Sequence, residues 1–373
     1  MVIELSDFES VVAGAADVRR QTETLDMLIC NAGIMELPEL ELVNGVERQF
    51  AVNHLGHFVL VNQLLPQVIA APQGRVVMVS SGQALRNAPP EGIDFDNLAG
   101  ERSYYGFLAA DHLQRPYQMN DSRVPYEKEQ LESVEQIQGI VRARELYLAG
   151  KHLDARREWY HTTASLPEHE LKLAALLAHR WGWHDRAILT ASRAGYWSDL
   201  TLRFPLPHRK SIFANADQYD LDPALIYGVI RQESAFMKDA RSPVGALGLM
   251  QLMPQTGKQT ARSLKIRYLG SQALLHSDQN IRLGSAYLNK LLKRYNGSPV
   301  LAAAAYNAGP HRVSRWLPTG ESMDASLWME RIPFKETRHY VRRVLAYATV
   351  FEWRLQRPVT RLSQRLPEIQ QRY

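Results

Sequence analysis

Glu233 stands where a carboxylic acid is chemically conspicuous. It closes the run "DPALIYGVIRQE", in which Ile226, Val229, Ile230 and Glu233 recur at helical spacing. The carboxylate therefore projects from the face that packs inward. Poor solvation at the end of an apolar stripe raises an acid's pKa and keeps a proton on it near neutral pH. A group in that state can protonate a leaving oxygen, which is what cleavage of a glycosidic bond asks of a general acid. A structural ion pair or a helix-edge position is the other reading of the same spacing. Arg231 is near in sequence but falls elsewhere around the helix.

The elements that must hold such an acid are legible on both sides of it. Asp222 is suited to cap the helix and Pro223 to occupy its first turn. Downstream, "SPVGALGLMQLMP" supplies Gly245 and Gly248 for a close turn, then Met250 for a flexible apolar wall and Gln251 to hydrogen-bond an amide or hydroxyl. "NIRLGSAYLNKLLKRYNG" reads as an amphipathic helix. "SPVLAAAAYNAGP" reads as a close-packing helix capped by Ser298, started by Pro299, carrying Tyr306 and Asn307, and stopped at Gly309-Pro310. "VRRVLAYATVFEWRLQR" is a terminal helix with a charged outer face.

Between residues 101 and 207 the period is helical. "SVEQIQGIVRARELYLAG" and "HLDARREWYHTTA" form one predicted helix pair, joined near Gly150 and Lys151; "PEHELKLAALLAHRWG" and "HDRAILTASRAG" form another. Trp181, Trp183, His184 and Tyr196 either line a sugar groove or pack between helices, and packing is the favoured reading. The histidines of this region lack metal-site spacing.

The first hundred residues follow a different pattern. Ser6, three residues before Glu9, suggests a capping box ahead of a helix. "LDMLIC", a long apolar-striped helix through Leu65, and "GRVVMVSS" read as strand, helix, strand, a right-handed crossover in a parallel sheet. "CNAG", "VNHLGHF" with Asn53, and "VMVSS" with Ser80 or Ser81 resemble the short-chain dehydrogenase/reductase family over residues 1 to about 99. That family implies a Gly-rich cofactor turn and a Tyr-x-x-x-Lys pair. Here Gly14 is the only glycine in the first thirty residues, no lysine precedes Lys128, and Leu108 and Ala109 stand four positions after Tyr104 and Tyr105. A structural or vestigial α/β fragment is therefore expected, with Asn31, Asn53 and Ser81 as turn or packing residues. "ERSYYGFLAADHL" already belongs to the helical region, and the change of parentage is placed between Asn97 and Ser103, as a gene fusion or a sequence-assembly error would produce.

"ESAF", "GALGLMQLMP", "AAYNAGP" and "IPFKETRHYV", in this order and spacing, resemble the catalytic domain of the soluble lytic murein transglycosylases. The resemblance implies a mainly α fold: an incomplete Rossmann-like α/β fragment at 1–99, a helical hairpin or solenoid region at 100–207 and a lysozyme-like catalytic domain at 208–373. It implies that Glu233 is both acid and base in cutting the bond between N-acetylmuramic acid and N-acetylglucosamine, with a 1,6-anhydromuramyl product. It further implies that Met250, Gln251, Tyr306 and Asn307 shape or polarise the sugar site, that Glu336 and Tyr340 approach it from the later motif, and that Ser234 donates a hydrogen bond close by. Peptidoglycan strands are the implied partner, and neither cofactor nor metal is called for.

The 373 residues carry 44 Lys and Arg against 39 Asp and Glu, a net charge of +5 spread along the chain. Such a charge favours polyanions without selecting one, and no nucleic-acid-reading motif accompanies it. A single cysteine excludes an intrachain disulfide framework. "MVIELSDFES" lacks an export signal, and no apolar run approaches the roughly 18 residues of a membrane span. The chain as written thus reads as cytoplasmic, the family resemblance as periplasmic with peripheral envelope association, and no obligatory protein partner is evident. An inactive peptidoglycan-binding protein is the alternative reading, and an NAD(P)-dependent oxidoreductase a less favoured one. Titration with NADH is expected to show no saturable binding; a saturable fluorescence change would revive the oxidoreductase.

Overall fold

The computed structural model describes residues 3–34, 41–43, 46–78 and 95–371. Two units divide the chain, Met1–Asp94 and Phe95–Tyr373. In the first, helix α1 (Phe8–Gln21) starts at Asp7, whose carboxylate accepts from the Glu9 and Ser10 amides at 3.0 and 3.3 Å. The expected cap, Ser6, instead donates to the Glu4 carboxylate at 2.6 Å. Asp7 stands one residue closer to the unsatisfied amides of the first turn and is a pure acceptor, so it takes the position.

Strand β1 (Met27–Cys30) pairs in parallel with β4 (Arg75–Met78), in the register Met27 to Arg75 and Cys30 to Met78. Between them lie a two-residue-per-strand hairpin, β2 (Leu42–Val43) and β3 (Val46–Glu47), and helix α2 (His57–Ala70), entered through a π-helical turn at Ala51–Gly56. This is the strand, helix, strand crossover that the periodicity predicts. Gly14 is buried inside α1 against Ile3, not in a strand-to-helix turn. Asn53 lies within the π-helical segment and braces the chain after β1: its amide group donates to the Ile34 carbonyl and accepts from the Ile34 amide, both at 2.8 Å. Ser80 and Ser81 lie outside the described residues.

After a short helical turn at Phe95–Leu98, the second unit continues with α3 (Tyr104–His112), within the stretch "ERSYYGFLAADHL", where Tyr104 and Phe107 are buried. The predicted helix through Ser133 to Leu148 is in fact two, α4 (Lys128–Glu135) and α5 (Gln138–Leu148). Ile137, with ψ at 121°, leaves the helical region and breaks the run. Helices α5 and α6 (His152–Thr163) form one antiparallel pair, and α7 (Glu168–Arg180) and α8 (His184–Arg193) the other. Gly150 and Gly182, at φ +75° and +73°, supply the left-handed residues that stop α5 and α7. Trp159 and Trp183 are buried between these helices, Trp159 donating its indole N–H to Thr190 Oγ1 at 2.9 Å and Trp183 stacking on Tyr147 at 4.6 Å. Both indoles are committed to helix packing.

The longer helices that follow are α9 (Arg209–Tyr219), α10 (Pro223–Glu233), α11 (Pro254–Ser263), α12 (Ser277–Arg294), α13 (Pro299–Ala308), α14 (Pro310–Trp316) and α15 (Lys335–Arg354), with short helical turns at Leu200–Arg203 and Ala325–Glu330. The main core is built by α10, α13 and α15, and Tyr104, Phe107, Ile188, Leu200 and Phe204 from the preceding helices join it. Alanines 302 to 305 leave α13 thin enough to lie close to both α12 and α15. Helices α10 and α15 pack most closely of all, because Gly228 brings the backbones together: a Cβ there would stand 2.9 Å from the Val344 carbonyl oxygen. No helix among the described residues is long and apolar enough to cross a membrane.

Gly228→Val should force α10 and α15 apart and lower stability by about 1–3 kcal/mol. A reduced urea midpoint for the loss of helical signal checks this, and an unchanged midpoint would contradict the close contact.

Candidate active site

Helix α10 is set by its first turn: Asp222 accepts from the Ala224 amide at 2.9 Å, Pro223 follows, and every residue from Pro223 to Ile230 is buried. Glu233 is the last helical residue. It keeps some exposed surface, yet its carboxyl group sits in a desolvated setting. Burial pushes the pKa up to about 7, with the Tyr340 hydrogen bond working against the rise and the negative charge of Glu336 adding to it. Tyr340 Oη donates to Glu233 Oε1 at 2.7 Å from α15. Glu336, one turn earlier on the same helix, is exposed.

No ion pair to Glu233 occurs among the described residues. Arg231 Nε donates to the Arg203 carbonyl at 2.8 Å, and its guanidinium lies over the Tyr347 ring at 5.2 Å. The ion-pair reading of Glu233 therefore finds no support in the geometry. The neighbouring aspartates have other work: Asp222 caps α10 and pairs with Arg357 and Arg365, and Asp239 pairs with Arg156.

Beyond Glu233 the chain turns sharply. Ser234 Oγ lies 2.8 Å from the Leu249 carbonyl and 3.3 Å from that of Ile230, tying the helix end to the loop that follows. Ala235 and Phe236 then take φ of +49° and +69°. Left-handed conformations at non-glycine residues cost on the order of 1–3 kcal/mol each and persist where surrounding contacts dictate them. The loop closes through reciprocal Leu247 and Leu252 backbone bonds at 3.0 and 3.1 Å. Gly248 is required at its turn: φ is +78°, and a Cβ would fall 2.1 Å from the Leu274 carbonyl oxygen.

Met250 is fully buried, and its carbonyl accepts from Tyr306 Oη at 2.8 Å. Gln251, with φ +45°, folds its Nε2 back to the Gly248 and Ala240 carbonyls at 2.8 and 3.2 Å. Asn307 Oδ1 accepts from Thr337 Oγ1 at 2.7 Å, which joins α13 to α15. The phenols of Tyr306 and Tyr340 are both held well above their ordinary range, by burial first and by the Glu233 charge second, so both remain donors. Glu233, Ser234, Tyr306 and Tyr340 thus belong to one connected cluster, with Met250 under it, Gln251 and Asn307 bonded to its neighbours and Glu336 acting through its field.

Two residues of this arrangement escaped the sequence reading. Asn280 Oδ1 accepts from the Met250 amide at 2.7 Å, and its Nδ2 donates to the Leu247 and Leu274 carbonyls, each at 2.8 Å. Thr337, 2 % exposed, orients Asn307. Both are polar residues on the apolar stripe of a helix, beside Ile281, Gly284 and Leu288 in one case and Val341, Val344 and Ala348 in the other. That signature also marked Glu233, and it would have found them. Among the described residues no group of His, Cys, Asp and Glu could hold a metal ion.

Because the folded carboxyl of Glu233 titrates above its ordinary value, the native state keeps a proton that the unfolded chain releases. The resulting stability cost is absent below about pH 4.5, grows through the interval and is complete above about pH 7. Glu233→Gln should therefore be more stable than wild type at pH 8, by roughly 1–3 kcal/mol, and the advantage should fade toward pH 4.5. Paired denaturant titrations across that range measure it; a pH-independent difference would contradict the shifted acid.

A family model described as the transglycosylase SLT domain matches residues 210–329, and one for the soluble lytic murein transglycosylase L domain matches 133–200. The soluble lytic transglycosylase helical domain matches 331–359, and short chain dehydrogenase matches 1–92. The soluble lytic murein transglycosylase of Salmonella typhimurium is 34% identical over 252 residues, 67% of this chain and 39% of that protein. Human retinol dehydrogenase 13 is 37% identical over 108 residues, 29% of this chain and 31% of its own. Among solved structures, lytic transglycosylase Slt from Pseudomonas aeruginosa, an inactive mutant with glutamine in place of a glutamate, aligns at a TM-score of 0.68 with 40% identity, over 83% of this chain and 47% of that one. The chain spans about two fifths of the length of its curated transglycosylase relatives. Its mainly helical fold is lysozyme-like, with an α/β region before it. The stretch from about residue 130 to residue 360 is a lytic transglycosylase domain of the SLT family, joined to a short-chain-dehydrogenase-like segment at residues 1–92.

Proposed function

We propose that this protein cleaves the β-1,4 bond between N-acetylmuramic acid and N-acetylglucosamine in peptidoglycan strands and leaves a 1,6-anhydromuramyl end. The observation that carries the reading is the Glu233 carboxyl: desolvated, unpaired with any cation among the described residues, and fixed through Oε1 by Tyr340. Protonated Glu233 gives its proton to the glycosidic oxygen as that bond breaks, and positive charge develops at the muramyl anomeric carbon. The substrate's acetamido oxygen stabilises that carbon. Glu233, now ionised, takes the proton of the muramyl C6 hydroxyl while its oxygen attacks, so the carboxyl ends as it began.

One carboxyl serves both steps, which removes the need for the paired carboxylates of ordinary glycosidases. A pKa near 7 suits a group that must be acid and then base. In this reading Tyr340 orients Glu233 and Glu336 raises its proton affinity, while Ser234 braces the helix end. Gln251, Tyr306 and Asn307 form the wall that receives the sugar, with the buried Met250 packed behind it. The region 208–373 is the catalytic domain, 100–207 a helical support and 1–99 a dehydrogenase-like fragment without a cofactor. The proposed location, the periplasm, follows from murein as the proposed substrate, and it is the substrate that the names of the relatives support. The inactive glutamate-to-glutamine mutant of the Pseudomonas enzyme is a further support for an essential acid.

Digestion of purified murein sacculi, read by mass spectrometry of the released muropeptides, tests the reaction. Wild type should release anhydromuramyl products, and Glu233→Gln should lose about 100-fold or more of that release. Reducing muramic acid ends would refute transglycosylation, and equal release by the two proteins would refute the role of Glu233.

A further inference from the structure

The segment from Ser234 to Ala240 joins the candidate acid to its wall. Its near end is the cap of α10, and its far end is Ala240, whose carbonyl accepts from the Gly248 amide at 2.9 Å and from Gln251 Nε2 at 3.2 Å. Two of its residues, Ala235 and Phe236, are left-handed without being glycine. Something must hold so strained a stretch in place. Phe236 is buried and its ring meets Tyr227 and Phe351, each at 6.2 Å, which anchors the middle.

The part beyond Phe236 lies over a hollow. A cavity of about 200 Å³ is bounded by Phe236, Lys238 and Asp239 on one side and by Tyr147, Trp183 and Asp185 of the helical pairs on the other. Packing cannot fix the chain across a void. Two contacts reach across it: the Lys238 ammonium lies 5.9 Å over the Tyr147 ring, and, closer and with fixed geometry, the two terminal nitrogens of Arg156 of α6 donate to the two oxygens of Asp239 at 2.9 and 2.8 Å. Both side chains are mostly buried. Burial works to raise the Asp239 pKa, but the hydrogen bonds and charge of Arg156, with smaller help from a backbone hydrogen bond and His152, together hold the carboxyl below its ordinary value. Two parallel charge-assisted bonds fix orientation as well as distance.

We infer that Arg156 is a positioning residue for Glu233: from the helical pairs it clamps Asp239, and through the strained segment 234–240 it keeps the acid and the Gly248–Gln251 wall in register. The inference rests on the reaction proposed above for its catalytic consequence, although the clamp itself does not. The charge of Arg156 is not among those that shift Glu233, where burial, Tyr340 and Glu336 account for the rise. A change in Glu233 titration on altering Arg156 would therefore report displacement.

The test uses the full chain with Arg156→Ala. On soluble glycan strands kcat should fall about 10- to 100-fold, as for a misplaced catalytic group, with KM changed far less. The alkaline limb of the rate profile should move to lower pH as water reaches the carboxyl. Amide hydrogen exchange in residues 234–251 should accelerate. Arg156→Lys should not restore these properties, since an ammonium cannot make two parallel bonds, whereas the exchanged pair R156D with D239R should restore them in part. Arg142→Ala, which breaks the exposed Arg142–Glu158 pair on the same helical hairpin, is the control and should leave all three readouts unchanged.

Unchanged pH profile and exchange in Arg156→Ala, or full rescue by lysine, would overturn the clamp. Should Arg156→Ala fail to fold, Asp239→Asn keeps the shape, weakens the pair and must show the same three changes. If wild type released no anhydromuropeptide, the reaction would be wrong, and hydrogen exchange would still decide the clamp.

Discussion

An acid with no counter-ion among the described residues, lodged at the end of an apolar helix, is the constraint around which the second unit is arranged. Desolvation alone would leave Glu233 permanently protonated or drive it to find water. The structure limits the effect instead of cancelling it. Tyr340 gives one hydrogen bond, enough to fix the carboxyl and to stop the pKa near 7, while Arg231, the cation closest in sequence, is turned away and bonded to the Arg203 carbonyl. Supplying an arginine would have been the easier route to stability, and it would have removed the proton.

That requirement propagates outward. Tyr340 can reach Glu233 because α15 lies against α10, and α15 can lie there because Gly228 has no side chain. Tyr306 reaches the Met250 carbonyl because α13 is thinned by alanine. Each polar contact at the site thus depends on an apolar close approach behind it. Small residues in the core set the distances that the large polar ones use.

Much of this was legible in the sequence. The Asp222-Pro223 start, the stripe ending at Glu233, the Ser298-Pro299 cap and the Tyr306-Asn307 pair are local signals, governed by helical period and capping, and they stand in the structure where the period put them. Contacts between residues far apart in the chain were not legible. Nothing local tells that Thr337 turns to Asn307, or that Arg156 meets Asp239, 83 positions later. The shift of the cap from Ser6 to Asp7 was missed for the opposite reason, because two neighbouring residues offered nearly the same local chemistry and the finer geometry chose, whereas the break at Ile137 is a change of backbone at a residue that the helical stripe accommodates equally well. In the first unit the crossover was readable, while Asn53 resembled a functional residue and serves the backbone of Ile34.

Asn280 carries a consequence for the durability of the protein. Its one amide group serves three backbone groups, two carbonyls and an amide, drawn from the site loop and from the turn at Leu274. Aspartate has nearly the same shape and would fit the same space. It would nevertheless set carboxylate oxygen against two carbonyl oxygens, in a position with no exposed surface from which water could intervene. The constraint at this position is the number of donors and not the volume, so exchange of a single amide for a carboxylate, a change of one mass unit (~1 Da) that leaves the outline of the core intact, would undo the loop that faces the acid.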